Sequence, residues 1–353
     1  MNFLLVLAIG ASLSIICALG DDSCKSFTWV ADMSDTNPYF WKSPSFDWNA
    51  TTTLAVFSSL TDSPDRVEMR DYALSLGKKV VGAISPGDID MTDTVAREQW
   101  ITDNIAHAKE QGWTGVNVDY EGNNPKLTKY YNSLVIDLCQ QMHQEIPGSE
   151  ISVDVPIYPE YEERNYDYAA LADACDSLFV MAYDGEFWDN VQCAVTNTHC
   201  SNACAPLETI EYGIQQYLAL GVKPDSLYLG LPWYGLKYMH VLGVPFQMGQ
   251  IHSEDVVAAV NKAGSKGKVT FDEKSNTYIF DCGGLCSQWT DQIADRTDTI
   301  WFDDPVSLKP KSVLATKYNL QGVGMWEATH VTYNPDSRTK FADEMWDSLC
   351  QRP

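Results

Sequence analysis

The chain has 353 residues, 48 of them acidic and 24 basic, for a formal charge of −24 at pH 7. Such an excess of carboxylates repels phosphate backbones and anionic headgroups, which excludes nucleic acid and membrane as expected partners. With 45% hydrophobic and 12% aromatic residues the chain can bury a large core, and its length suits one large domain or two small ones.

The opening stretch, MNFLLVLAIGASLSIICALG, holds an apolar run from Phe3 without a charged side chain and closes on Ala18, Leu19 and Gly20. That is the layout of a secretory signal peptide over 1–20, cut near Gly20. The run is short for a spanning helix, and Asp21 and Asp22 follow at once. Cleavage would leave a single domain over 21–353 and remove Cys17, so nine of the ten cysteines would remain where disulfides persist. An odd number leaves one thiol free or paired with another chain. Cys193, Cys200 and Cys204, and separately Cys282 and Cys286, are spaced like local loop staples, whereas zinc would want tighter C-x-x-C pairs with histidines. Asn49-Ala50-Thr51 is a glycosylation acceptor. These features point to the secretory pathway, ending in the lysosome or outside the cell.

Short apolar stretches predict strands at 26–32, 52–59, 78–85, 115–121, 150–158, 177–184, 226–235 and 322–329. Helix signals lie between them. Ser63 and Pro64 read as N-cap and first helical residue, with Gly77 at the far end. Leu127, Tyr131, Leu134, Val135, Leu138 and Met142 form a core-facing stripe at helical spacing. Asp304-Pro305 opens a later helix, with Val313, Leu314 and Tyr318 as expected core contacts. Alternating strands and helices imply right-handed crossovers and a parallel sheet, and eight such units argue for an α/β fold of the closed (β/α)8 TIM-barrel type. A doubly wound open sheet is the alternative, but no glycine-rich phosphate loop follows the first strand. The stretch 236–300 exceeds what one connection needs and contains the hairpin-like KVTFDEKSNTYIFDC, so a small insertion is expected after strand seven.

The fourth predicted strand reads GVNVDYE. Its period of two sends Val116, Val118 and Tyr120 to one face and Asn117, Asp119 and Glu121 to the other. On periodicity alone the polar face could simply meet water. In a barrel, the apolar set fits the helix side and the polar set points to the axis. Carboxylates buried on the axis are costly, and the carboxyl ends of barrel strands are where such enzymes hold their reacting groups.

Thr114-Gly-Val-Asn117-Val-Asp119-Tyr-Glu121 resembles the DGxDxDxE strand-four motif of family 18 glycoside hydrolases, the chitinase family. Met181-Ala182-Tyr183-Asp184 matches its MxYD motif on strand six, GLPWYG at 230–235 its strand-seven end, and Gly324-Met325-Trp326 its strand-eight tryptophan; the likeness runs from about residue 26 to 349. The resemblance implies a hydrolase that needs no cofactor and no metal, acts on N-acetylglucosamine-containing oligosaccharides as a monomer, and uses the substrate's own 2-acetamido oxygen as nucleophile, with retention. Glu121 would be the general acid and later the base. Asp119 would orient the acetamide and stabilise the oxazolinium, and Tyr183 would grip the acetamide oxygen. Asp184 would contact sugar hydroxyls, Trp326 would form the floor, and Asn117, Met181 and Trp233 would complete the binding set. The block at 300–328 together with Asn117 narrows the likeness to the branch that cleaves β-1,4-linked chitobiose, as in the core of asparagine-linked glycans. A secreted endo-chitinase stays open, as does a chitin-binding lectin of the same fold, although a lectin would be expected to lack Glu121. Thr114 and Asn117 replace the first two motif aspartates. The second usually shares a proton with the position of Asp119; since Asn117 cannot ionise, Asp119 is expected to stay charged to lower pH.

Overall fold

Eight strands that pair in parallel close on themselves, and a smaller antiparallel sheet is appended where the seventh ends. The computed structural model describes residues 24–351 apart from 32–38, 58–63, 185–200, 291–292 and 294–295. The signal stretch, Ser63, Cys193 and Cys200 therefore lie outside the described residues. In chain order the elements are β1 (Ser26–Val30), β2 (Thr51–Val56), α1 (Pro64–Ser75), β3 (Lys79–Ile84), α2 (Thr94–Gln111), β4 (Gly115–Val118), α3 (Thr128–Glu145), β5 (Glu150–Val155), α4 (Tyr168–Ala174), β6 (Ser177–Met181), α5 (Leu207–Ala219) and β7 (Leu227–Pro232). The insertion contributes β8 (Tyr234–Val241), β9 (Val244–His252), α6 (Ser253–Ala263), β10 (Lys268–Asp272), β11 (Thr277–Asp281) and β12 (Thr299–Phe302), and the barrel resumes with α7 (Pro305–Lys317), β13 (Gly322–Trp326) and α8 (Lys340–Leu349).

The barrel order is β1-β13-β7-β6-β5-β4-β3-β2. Outward residues such as Leu54, Val80, Val116, Val118, Ile151 and Val153 are buried under the helices. The stripe Tyr131, Leu134, Val135, Leu138 and Met142 on α3 is fully buried against them, each large side chain contributing about 1.5–3 kcal/mol of apolar burial. Phe27, Trp29, Phe179 and Tyr228 fill the barrel interior between the small Ala55, Val81 and Ala83. The Phe179 ring fits because two neighbours lack side chains: a Cβ on Gly230 or Gly324 would lie 2.4 or 2.5 Å from it. These motif glycines thus serve packing.

The second sheet runs β10-β11-β12-β8-β9. Val256 and Ala259 of α6 pack with Ile251, Phe280 and Ile300 in one cluster, while Tyr234, Leu236, Tyr238 and Trp301 form another that reaches Tyr183 and Trp326. The insertion therefore lies over the edge of the barrel mouth. Two local expectations change. The stretch 226–235 is not one strand, because the chain leaves the barrel at Pro232 and Tyr234 begins the other sheet. Val313 is 41% exposed, since the buried face of α7 includes Ser307, Leu308, Lys311 and Ser312 instead.

Disulfides join Cys24 to Cys350, Cys139 to Cys175 and Cys282 to Cys286. The last is the expected local staple. Cys204, expected in a staple with Cys193 and Cys200, is a buried free thiol. Among the described residues no helix is long and apolar enough to cross a membrane.

Candidate active site

Strand β4 ends at Val118, and the chain then carries Asp119 and Glu121 past the barrel rim. Asp119 N–H still donates to Ile84 carbonyl on β3 at 2.9 Å, so its position is set by the sheet. Tyr120 turns outward, its ring 4.9 Å from that of Tyr131 on α3, and the Tyr166 hydroxyl donates to Gly122 carbonyl at 2.5 Å. This anchoring on both sides of Glu121 fixes the exit of the strand.

The inward residues differ in depth. Asn117 is fully buried; its Nδ2 donates to Ser152 Oγ at 3.0 Å and Asp154 Oδ1 at 2.8 Å. Asp119 is largely covered, and its Oδ1 is buried without a hydrogen-bond partner. Glu121 is 57% exposed, and Oε2 accepts from Arg164 Nη2 at 2.7 Å, the arginine being only 3% exposed. Burial, then the charge of Glu121, pushes Asp119 up to about 6, with Arg164 opposing. Burial also pushes Asp154 well above the usual carboxylate range, aided by Asp119. The expectation that Asp119 stays charged to lower pH because position 117 cannot ionise is therefore corrected. A second carboxyl is present on the neighbouring strand, and desolvation outweighs the loss of the strand-four aspartate.

Tyr183 and Asp184 follow β6. Tyr183 is half-buried, its ring 6.2 Å from Tyr234; burial, with the nearby Asp154 and Asp119, keeps its hydroxyl protonated as a donor. Asp184 has a left-handed backbone with φ 48°. Its Oδ1 accepts from the Tyr234 hydroxyl at 2.7 Å and its Oδ2 from Gln250 Nε2 at 3.3 Å, so residues of the insertion hold this carboxylate. Trp326 is half-buried at the barrel mouth, 5.3 Å from Trp29 and 5.8 Å from Phe57 between ring centroids. Met181 joins the same cluster. Trp233 does not: it is fully buried, edge-on to Trp346 of α8 at 5.4 Å, because the alternation that points Pro232 one way sends Trp233 into the outer shell.

Arg164, Asp154, Tyr234 and Gln250 were not anticipated. Asp154 had a usable signal, since EISVDV alternates and puts Ser152 and Asp154 on one face. Tyr234 stands within the GLPWYG stretch but was given no role there, and Gln250 comes from the insertion and carries no motif spacing of its own.

A parallel eight-stranded barrel with a buried and an exposed carboxyl at the end of strand four has the architecture of a barrel glycosidase. Residues 86–331 match the family model for glycosyl hydrolases family 18, and the chain belongs to that family and is an O-glycosyl hydrolase. It is 32% identical over 345 residues to di-N-acetylchitobiase of Rattus norvegicus, covering 90% of this chain and 87% of the relative. With the Homo sapiens di-N-acetylchitobiase the identity is 31% over 344 residues, covering 89% and 82%. Among solved structures, a chitinase from Chromobacterium violaceum superposes with TM-score 0.70 at 18% identity, covering 93% of this chain and all (100%) of the other. The family 18 chitinase of Cycas revoluta, solved in complex with (GlcNAc)3, gives 0.67 at 19% identity, covering 92% and 99%. At these identities the solved structures bear on the fold alone.

Proposed function

We propose that this hydrolase cleaves the β-1,4 bond of chitobiose at the reducing end of free glycans of the asparagine-linked type, releasing N-acetylglucosamine with retention. The observation that carries the reading is the difference in depth between the two carboxyls of strand four: Glu121 stands open at the rim beside Arg164, while Asp119 lies below it, largely covered. Sequence relatedness to proteins named di-N-acetylchitobiase supports the substrate.

Protonated Glu121 gives its proton to the glycosidic oxygen as the bond to C1 breaks. The acetamido oxygen of the same sugar bonds to C1, forming an oxazolinium. Asp119 accepts a hydrogen bond from the acetamide N–H and offsets the positive charge that develops there. Tyr183 donates its hydroxyl hydrogen to hold the acetamide oxygen in line, and Trp326 supplies an apolar floor. Ionised Glu121 then takes a proton from water, whose oxygen attacks C1 from the face the leaving group vacated and reopens the ring. Arg164 steadies Glu121 in its ionised form.

The same reading places the chain in the secretory pathway, its first twenty residues removed and its destination the lysosome, with the three disulfides as support. Incubation with a free chitobiose-terminated glycan, beside a chitin hexamer, tests the substrate. Release of one sugar from the glycan is expected, with the new reducing end appearing first as the β anomer by NMR. Rapid internal cutting of the hexamer without release from the glycan would favour an endo-chitinase. Binding without turnover of either would favour a lectin.

A further inference from the structure

Strand β5 brings to the barrel mouth a carboxyl that belongs to none of the family motifs. Glu150, Ser152 and Asp154 alternate along it, and Asn117 reaches both Ser152 and Asp154 from the facing strand. The parallel register pairs Asn117 with Ser152 and Val118 with Val153, so the next step sets Asp119 opposite Asp154. Strands lie about 4.8 Å apart, which makes these two inward carboxyls direct neighbours. Asp154 is buried. Asn117 directs its amide nitrogen to Ser152 and Asp154, so it presents its Oδ1, not a donor, to the rest of the site; that Oδ1 and Asp119 Oδ1 are both buried without hydrogen-bond partners. With the Asn117 amide nitrogen turned to strand five, neither of these two acceptors receives a hydrogen bond, and a proton shared among the carboxyls would supply one.

We propose that Asp154 is a positioning residue for the reaction, carrying the proton that faces Asp119 and supplying from strand five the second carboxyl that strand four lacks at position 117. The inference rests on the hydrolytic reading above. As a neutral acid, Asp154 donates its O–H toward Asp119 Oδ1, leaving the other oxygen of Asp119 to accept the acetamide N–H. When positive charge develops on the oxazolinium, Asp119 is the ionised member of the pair, and no covalent bond other than the shared O–H changes hands. The groups facing Asp154 agree with its neutral form. From β4 and its end, the charges of Asp119 and Glu121 oppose its ionisation, while Asn117 and the more distant Arg164 favour it. The hydroxyls of Tyr183 after β6 and Tyr131 on α3, which also face it, stay protonated. Burial is the largest influence and favours the protonated form.

The test compares wild type, Asp154→Asn and the exchange variant Asn117→Asp/Asp154→Asn, which returns the second carboxyl to strand four. Wild-type turnover of chitobiose tests the hydrolytic reading by itself, since its absence would remove that reading before any variant is compared. Given turnover, Asp154→Asn is expected to lower kcat by about 10²-fold with KM within about threefold of wild type, the signature of lost alignment in the transition state. The exchange variant should recover at least ~10-fold of that loss. Thermal unfolding identifies folded variants; if Asp154→Asn does not fold, the exchange variant is compared with wild type directly, and activity within about tenfold of wild type supports the proposal. A folded Asp154→Asn with wild-type kcat, or an exchange variant that recovers nothing, overturns it.

Discussion

Glu121 and Arg164 divide exposure unequally, the carboxylate open to solvent and the guanidinium sealed beneath it. A buried arginine that spends a hydrogen bond at 2.7 Å on an exposed carboxylate fixes direction as well as charge. Glu121→Gln keeps the shape and loses the transferable proton, so kcat should fall by roughly 10²-fold or more, while the affinity for a trisaccharide measured by calorimetry stays near that of wild type. Loss of affinity with kcat intact would make Glu121 a binding group instead. Arg164→Lys retains the charge without the planar fork, and misplacement of the acid should cost about tenfold or more in kcat with KM little changed. Unchanged steady-state constants would show the ion pair to be incidental. That Asn117, Asp119 and Glu121 share one face was legible from alternation, and the barrel expectation turned that face inward. The partnership of Asp119 with Asp154 was not, because it depends on register between two strands. Arg164 was out of reach for another reason: Glu163 and Asn165 on either side take left-handed backbone, φ 58° and 49°, and that loop path has no periodic signature.

Among the elements, α7 shows how polar burial hides from pattern reading. Its N-terminus was legible, and Asp304 indeed caps Val306 and Ser307 in a reciprocal box with the Ser307 side chain. Its core face was not: Val313, expected to face the core, is exposed, while Lys311 is fully buried. Lys311 Nζ lies fully buried, 2.6 and 2.7 Å from the two oxygens of Asp303 just after β12, and 3.0 Å from Thr277 Oγ1 of β11. The pair therefore ties the inserted sheet to a barrel helix. Removing one member leaves the other charge buried. Lys311→Met is expected to destabilise by about 3–5 kcal/mol in denaturant unfolding, whereas Lys311→Met with Asp303→Leu should come back to within about 1 kcal/mol of wild type. A single variant as stable as wild type would mean that the insertion is held by its other contacts. The inserted sheet carries Tyr234 and Gln250, which hold Asp184, so the same variants report whether loosening this junction lowers activity before it lowers stability.

At the scale of the molecule, a charge of −24 combines with carboxyls whose burial makes ionisation costly. Asp119 is pushed up to about 6, and Asp154, Glu150 and Asp184 are also raised, in each case first by burial. A carboxyl with a raised folded-state pKa binds its proton more tightly folded than unfolded, so stability grows as pH falls through the folded value and levels off near the ordinary value, 3.8 for aspartate. Each such group can contribute up to ~1.4 kcal/mol per pH unit across that interval. His330 acts in the opposite sense: burial, with His252 beside it, lowers it from 6.5 to about 3, so stability is lost as pH falls below 6.5. One histidine works against several carboxyls, and the thermal midpoint is therefore expected to rise from pH 8 to a maximum at about pH 5 and to decline below about 4. General repulsion among surface carboxylates predicts the same rise, but salt separates the two causes, because exposed charges are screened at about 0.5 M while buried groups are not. Midpoints measured from pH 4 to 8 at low and high salt should keep most of the slope between pH 7 and 5, and Asp154→Asn should flatten it. A midpoint that is highest at pH 7 to 8, or a slope abolished by salt, would mean that the buried carboxyls do not govern the acid stability of this barrel.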